Sequence, residues 1–382
     1  MMGNPKLGIV VSHPIQYYAP LFKYLAQRLN IIVFYCHDPT DEEIGRDGFG
    51  LKFKWDVNLL EGYEYLFLEN RSSKPDLTKF NGCNTPDIGK KLKEHGVTHI
   101  LIMGWYLRSY WQAFFYCLRN SIPVSVRGDS QLNPGENKIK SLLKALLYPL
   151  FIKRYDMLFY VGERNKQYLL KHGATTKQLV FAPHAVDQEF WQAPIPDSGT
   201  KASKIIFLWI AKFIPKKQPF DAVKAFLKAY EQDNNIELWM IGSGELLEET
   251  MKIAGKCEGL KFPGFKNQTQ LREIFSLGHC LILTSNSEET WGLVVNEGFA
   301  MGMPAIVSDA CGCVPDLIQE NQTGFVYESG NLTQLTEKIT LATSMIRSGN
   351  NSFINSIKQK KAIYSYEGNF IALKSFIYNN SK

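Results

Sequence analysis

The spacing of its apolar runs, its length and one mid-chain break predict an α/β protein built as two doubly wound, parallel-sheet domains. At 382 residues the chain exceeds one ordinary domain and suits two, each large enough to bury a core. Short β-rich runs at 7–11, 31–35, 99–103, 124–126 and 157–161 are nearly continuously apolar, as strands buried on both faces must be. Amphipathic stretches such as 21–29 and 111–118 fall between them and read as helices. The pattern then restarts, with a strand at 205–210, a helix at 219–230 and further strands at 236–241, 260–262, 281–283 and 305–307. Two βαβ series in one chain argue for two Rossmann-like domains. The expected joint lies within 183–204, where APIPDSGTKASK is rich in Pro, Ser, Gly and Thr. The layout expected is a domain over 1–190, a second over 191–360 and a terminal segment over 361–382. Ligands of such sheets bind beyond the carboxyl ends of the strands, so the expected site is a cleft that both domains face.

Composition places the chain among globular enzymes, at 45% hydrophobic, 21% charged and 13% aromatic residues, with nothing depleted enough for disorder. The first apolar run breaks at His13-Pro14, too early for a signal peptide, and no stretch approaches the ~20 apolar residues of a membrane span. Seven cysteines, scattered apart from Cys311-Gly312-Cys313, fit reduced thiols in a cytosol and no structural zinc. A cytoplasmic location is therefore expected. The net charge of +6 lies entirely in residues 1–190, which carry 24 Lys+Arg against 18 Asp+Glu. A basic half suits an anionic partner such as a phosphate-bearing substrate or an anionic membrane surface, and nucleic acid less well; ordinary scatter of charge explains it equally.

Two segments stand outside the alternation. Residues 41–62 (DEEIGRDGFGLKFKWDVNLLEG) form a long Gly-rich stretch that is either a functional loop or a surface excursion. In 138–153, Ile139, Leu142, Leu143, Leu146, Leu147 and Leu150 recur at helical spacing opposite Lys138, Lys140 and Lys144. The default reading of this basic amphipathic helix is packing on the domain core. The sharper one is contact with an anionic membrane, peripheral to the inner face.

The stretch with the most chemistry is SNSEETWGLVVNEGFAMGMP, residues 285–304. It follows the strand at 281–283, and its later part has helical character, so Trp291-Gly292-Leu293-Val294 is expected at a strand-to-helix turn. Backbone N–H groups there make an anion site, and Gly292 lets the backbone approach a phosphate closely. Glu289 precedes the turn and Glu297 is expected two turns into the helix. Eight positions apart, they are too distant for one acid pair. Two separate carboxylates suit hydroxyls at different points of one ligand, because a carboxylate accepts and a sugar donates.

This stretch closely resembles the E-x7-E segment of the family-4 retaining glycosyltransferases of GT-B architecture, including the downstream Gly298, Gly302 and Pro304. That family usually has Phe or Tyr where Trp291 stands. Further elements fall in the family's order. LWIAKFIPKKQP (208–219) resembles its G-R-L-x-x-x-K-G segment, with Ala211 for Gly, Lys212 for Arg, Lys217 for Lys and Gln218 for the second Gly. Gly242-Ser243-Gly244 resembles its G-x-G turn, and KFPGF (261–265), ending in Phe265, the segment whose backbone holds the nucleotide base. PHAVDQEF (183–190) is similar to its interdomain link, with His184-Ala185 replacing Asn-Gly.

The first half departs from the common pattern. A Gly-rich loop is replaced by SHPIQYYAP (12–20), which resembles a bacterial subgroup with an HPIQY start, often met in surface-polysaccharide synthesis. His13, Gln16 and Tyr17 bring hydrogen-bonding side chains to a strand end, His13 having a structural reading beside its cleft reading. Where many members place a His after the strand at 124–126, this chain has Arg127-Gly128-Asp129-Ser130. Asp129 is suited to orient an acceptor hydroxyl and Arg127 to meet a phosphate. Gly104-Trp105 follows another strand, where the indole would stack on a sugar or sit in the core.

The resemblance implies transfer of a sugar from a nucleoside-diphosphate sugar to an acceptor hydroxyl, with retention. The uracil or guanine nucleotide sugar is a substrate, and no separate cofactor is expected. Lys212, Lys217 and the amides of Gly292 and Leu293 would take the diphosphate's charge, Glu289 the sugar and Glu297 the ribose. No D-x-D metal motif stands out, so metal independence is expected. A glycan or lipid-linked acceptor is expected, with no nucleic-acid partner. By resemblance the terminal helix returns to the first domain. Two other readings stay open: a sugar-nucleotide epimerase of the same architecture, and a non-catalytic nucleotide-sugar-binding subunit.

Overall fold

The computed structural model describes residues 4–39, 55–133, 135–192, 204–349 and 352–379. Most of the stretch 41–62 and nearly all of the predicted linker lie outside the described residues. Two compact units emerge. One gathers the described residues of Met1–Thr40, Asn58–Ala185 and Ser365–Lys382; the other those of Asp41–Val57 and Val186–Tyr364.

The first unit has seven strands: β1 (Leu7–Val11), β2 (Ile31–Tyr35), β3 (Glu64–Phe67), β4 (His99–Ile102), β5 (Val124–Gly128), β6 (Met157–Tyr160) and β7 (Leu179–Phe181). They pair in parallel in the order β3-β2-β1-β4-β5-β6-β7. The chain winds outward from β1 to β3, then returns to β4 on the other side of β1. The carboxyl ends of β1 and β4 are thus the switch point, where a doubly wound sheet opens a crevice. Side chains alternate across the sheet, so Leu7, Ile9 and Val11 face one core and Val10 the other. The first core takes Leu21, Phe22 and Leu25 from helix Ala19–Ala26, and Ala372, Leu373, Phe376 and Ile377 from helix Tyr366–Asn379. The second takes Tyr110, Ala113, Phe114 and Cys117 from helix Arg108–Arg119.

The second unit has six: β8 (Ile205–Ile210), β9 (Ile236–Ile241), β10 (Leu260–Gly264), β11 (Cys280–Leu283), β12 (Ala305–Ser308) and β13 (Gly324–Tyr327), parallel in the order β10-β9-β8-β11-β12-β13. Its switch point lies between β8 and β11. The expected α/β class with two doubly wound parallel sheets is what the chain forms.

Edge strands are where the sequence pattern falls short. β3 and β7 are short and partly exposed, so their brief apolar runs do not stand out from the neighbouring loops. β13 opens on Gly324, whose backbone approaches Ala305 so closely that a Cβ would strike its carbonyl. Helix Lys138–Ile152 forms as expected, but the default reading of core packing is overturned. Its six predicted core residues point outward, and it is held to the unit by Tyr148, Phe151 and Ile152.

Candidate functional site

In the second unit the loops after β8 and β11 are stitched together at the switch point. Thr284, just past β11, donates to the Lys217 carbonyl at 2.7 Å and accepts from Trp209 Nε1 on β8 at 2.9 Å. Asn286 N donates to the Lys216 carbonyl at 2.9 Å. These bonds set Lys217 so that its ammonium ion-pairs with the Glu289 carboxylate, which also accepts from Ser285 Oγ at 3.1 Å. Both side chains are largely buried. Burial pushes the Glu289 carboxyl up, but the charges of Lys217 and Lys216 and its two hydrogen bonds outweigh that, leaving it below the usual range. A buried ion pair contributes little net stability, so its presence calls for another reason.

The turn after Glu289 is pinned from the neighbouring loop. Gly312 N donates to the Glu289 carbonyl at 2.9 Å and Cys313 N to that of Trp291 at 3.0 Å. A Cβ on Gly312 would collide with the Thr290 carbonyl, so only glycine fits. Trp291 is buried, its indole donating to Asn296 Oδ1 at 2.8 Å and lying 5.9 Å from the Tyr364 ring. Its side chain belongs to the core, leaving its backbone to the site. Gly292 has φ +100°, which explains the glycine there. Leu293 and Val294, both half-buried, lead into helix Val294–Ala300. Glu297 sits in the first turn of that helix rather than two turns in, because the helix starts only at Val294. Among the described residues its half-buried carboxyl has no hydrogen-bond or ion-pair partner, and burial raises its pKa to about 8.

The remaining second-unit residues border the same carboxyl edge. Gly242 and Gly244 have φ of +143° and +147°, and a Cβ on either would strike the backbone of Ala211 or Phe213. They allow the loop after β9 to cross that after β8, sealed by Phe213 N donating to the Ser243 carbonyl at 2.8 Å. Lys212, between those contacts, and Phe265, just past β10, are both half-buried.

The first unit's switch point is a cavity of about 200 Å³ with an aromatic wall. Tyr17, Tyr18, Tyr106 and Tyr110 line it with Gly104, Trp105, Arg127, Asp129 and Ser130. Gly104 turns the chain there with φ +117°. Trp105 backs the wall, its indole nearly parallel to Tyr168 at 6.4 Å. The Asp129 carboxylate is half-exposed and lies 3.7 Å from the buried His184 Nε2. Arg127 does not present its charge as expected. Its buried guanidinium donates to the Pro183 carbonyl at 3.0 Å, the Ala182 carbonyl at 3.4 Å and Tyr18 Oη at 3.2 Å. It braces β5 against the end of β7 and orders Tyr18. Among the described residues, the wall takes Tyr17 but not His13 or Gln16. His13 hydrogen-bonds Ser12 Oγ at 2.9 Å, and burial, then nearby His37, pushes its pKa down to about 4, so it stays neutral.

Sequence reasoning missed Tyr18, Tyr106 and Tyr110 on the wall, and Ser285, Thr284 and Gly312 behind Glu289. The three tyrosines sit at helix starts with no distinguishing pattern. Ser285 and Thr284 were readable only as the residues just past a strand. Among the described residues no three His, Cys, Asp or Glu side chains converge as a metal set, all seven cysteines are free, and no helix is long and apolar enough to cross a membrane.

Comparison with known proteins bears on the family and the fold. Residues 193–359 match the family described as Glycosyl transferases group 1. An exopolysaccharide phosphotransferase of Streptomyces coelicolor is 25% identical over 189 residues, 48% of this chain and 19% of that protein. The N-acetyl-alpha-D-glucosaminyl L-malate synthase of Bacillus anthracis is 26% identical over 179 residues, 44% of this chain and 46% of that one. The match thus spans less than half the length of either relative. A glycosyltransferase from Rickettsia africae superposes with TM-score 0.72 at 15% identity, covering 99% of this chain and 100% of its own. Anabaena HepE in complex with UDP and glucose also reaches 0.72, at 12% identity, covering 97% and 99%. At such identities the likeness shows the fold: two parallel-sheet α/β domains of GT-B type, as expected.

Proposed function

We propose that the chain is a retaining glycosyltransferase. It moves a sugar from a UDP- or GDP-linked donor to a hydroxyl of a glycan or lipid-linked acceptor, in building bacterial surface polysaccharide or glycolipid. The observation that carries this reading is the buried Lys217–Glu289 pair at the second switch point, with Glu297 in the first turn of the following helix and without a side-chain partner among the described residues. The matched family region, the UDP and glucose in the HepE structure and the exopolysaccharide role in a relative's name support it.

In this reading Lys217 and Lys212 meet the diphosphate, with the Gly292 and Leu293 amides facing its oxygens. Glu289, held ionised by Lys217, accepts from the donor sugar's hydroxyls. Glu297 accepts from the ribose, and the backbone around Phe265 and the Gly242–Gly244 turn borders the base. The bond from the anomeric carbon to the diphosphate oxygen breaks as the bond to the acceptor oxygen forms on the same face. The acceptor proton passes to the departing diphosphate. Cations that bind the leaving group more tightly as its charge grows are what lower this barrier. Metal ions are not required in this scheme. Asp129 and the tyrosine wall orient the acceptor.

The test is to incubate the protein with UDP- and GDP-sugars and follow nucleoside diphosphate release with and without glycan or lipid-linked acceptors. Release stimulated by an acceptor is expected. Tight binding without turnover of any donor would make the chain a binding subunit, and an isomerised donor an epimerase.

A further inference from the structure

Helix Lys138–Ile152 is built inside out. Ile139, Leu142, Leu143, Leu146, Leu147 and Leu150 are between 51% and 71% exposed, on the face turned away from the unit. At 1.5 Å per residue they form a stripe about 16 Å long. Lys144, in contrast, turns back towards the protein: it pairs with Glu136, and its ammonium lies 5.8 Å from the Tyr168 ring and 6.0 Å from that of Tyr148. A helix meant for water would reverse these assignments. A contiguous apolar stripe of this size marks a surface that something covers.

We propose that this face docks the first unit onto an anionic lipid surface. Charge selects the occupant. From 136 to 154 the chain carries Lys138, Lys140, Lys144, Lys153 and Arg154, with Glu136 as its one acidic residue, itself neutralised by Lys144. A second copy of the helix would bring like charges together, whereas anionic headgroups complement Lys138 and Lys140 while the leucines enter the acyl boundary. Fifteen residues are too few to span the hydrocarbon, so the helix lies in the surface.

The stripe is also tied to the cavity. The helix follows the loop that leaves β5, and Trp105 of the cavity wall touches its inner face, 6.1 Å from the Tyr148 ring and 5.9 Å from that of Phe151. Docking therefore sets the cavity wall one helix diameter, roughly 10 Å, behind the headgroups. On the acceptor reading above, the acceptor is then a saccharide whose lipid tail stays in the bilayer.

The experiment is co-sedimentation of the full chain with vesicles of phosphatidylcholine alone or with roughly one-third phosphatidylglycerol, at about 0.1 M and 0.5 M salt. We expect partitioning onto the anionic vesicles, at least about tenfold weaker on the neutral ones or at high salt. The double variant Leu142→Glu/Leu146→Glu should lose at least about tenfold on the anionic vesicles. Its Tm and its UDP affinity should hold, since both positions are exposed and lie outside the second unit. Wild-type protein that stays in the supernatant, or a double variant that binds as well, overturns the proposal. So does self-association in ultracentrifugation that the double variant abolishes without any vesicle binding, which assigns the stripe to a second copy. Vesicle binding needs no turnover, so its failure is distinct from failure of the transferase reading.

Discussion

The two sheets share a winding order and open a switch point at the same place, yet fill it with opposite chemistry. Between β8 and β11 the second unit sets lysines against a buried, ionised Glu289 and leaves Glu297 without a side-chain partner among the described residues. Between β1 and β4 the first unit builds an aromatic wall with one half-exposed carboxylate, Asp129, and keeps its nearest cation, Arg127, occupied by carbonyls. Winding order decides where a ligand can bind; loop residues decide which ligand it is. A cation-rich edge fits a diphosphate whose charge grows during reaction. A ring-lined, weakly charged cavity fits the faces and hydroxyls of a saccharide. On the proposed reading, donor and acceptor belong to different units, and substitutions in one should leave the other's ligand alone.

The largest effect is expected at Lys217. On the proposed reading Lys217→Ala removes a charge from the leaving group, and it strands Glu289 in a buried position. Transfer should fall by about 10²–10³-fold, and stability by about 3 kcal/mol, read from product formation and thermal melting. Glu289→Gln should lose comparable activity. Because the two act as a unit, the double variant should be little worse than either alone. Losses that simply multiply would dissolve the pair.

The first unit gives the converse test. Asp129→Asn should lower kcat/KM for the acceptor by about tenfold while nucleotide affinity and acceptor-independent donor hydrolysis stay unchanged. Tyr17→Phe should do the same more weakly, since it removes one hydroxyl and keeps the ring. A loss of nucleotide affinity in either variant would break the division of labour between the sheets.

Glu297 supplies a pH-dependent contrast. Its carboxyl is ordinarily half-protonated at 4.5, and burial lifts that to about 8. The folded protein thus retains a proton the unfolded chain gives up, and folding becomes less favourable as pH rises through that window. Glu297→Gln removes the penalty, so its Tm should match wild type below about pH 4.5 and exceed it by several degrees at pH 8. If Glu297 meets the ribose as proposed, the ribose hydroxyls stabilise its ionised carboxylate, and nucleotide binding should release a proton and tighten as pH rises towards 8. Calorimetry in buffers of different ionisation heat measures this. Equal proton release by the Gln variant would take Glu297 out of the ribose contact.

Much of this contrast was legible in the sequence for the second unit and little for the first. Glu289, Gly292 and Glu297 lie within nine residues, and Lys217 is the lysine of a short ordered segment, so local spacing nearly suffices. The first-unit cavity draws on the ends of three strands, with Tyr17, Tyr106 and Asp129 far apart in sequence and brought together by register alone. The inner strands were readable from their continuous apolar runs, whereas three of the four edge strands, β3, β7 and β13, were not. Helix Lys138–Ile152 shows the limit of periodicity, which identifies an apolar stripe but not whether it points in or out.

The smallest effect tests a residue that looks anomalous in sequence and has a plain physical meaning in the fold. Gln218 follows Lys217 where the resembling family has glycine, and it adopts φ +47°, ψ +55°. That left-handed conformation costs a non-glycine residue roughly 1–2 kcal/mol, and here it turns the chain from the Pro215–Lys217 turn into helix Pro219–Gln232. Gln218 is not idle, since Ser329 Oγ donates to its Oε1 at 3.4 Å, but that bond is long and weak. Gln218→Gly should therefore relieve the strain, partly offset by the entropy glycine adds to the unfolded chain. The net expected is a gain of about 0.5 kcal/mol, seen as a small rise in denaturation midpoint with unchanged slope. Transfer should stay within about twofold of wild type, because the backbone path holding Lys217 is kept. A loss of activity without loss of stability would mean that the Gln218 side chain touches the donor, and would extend the polar edge of the second switch point by one residue.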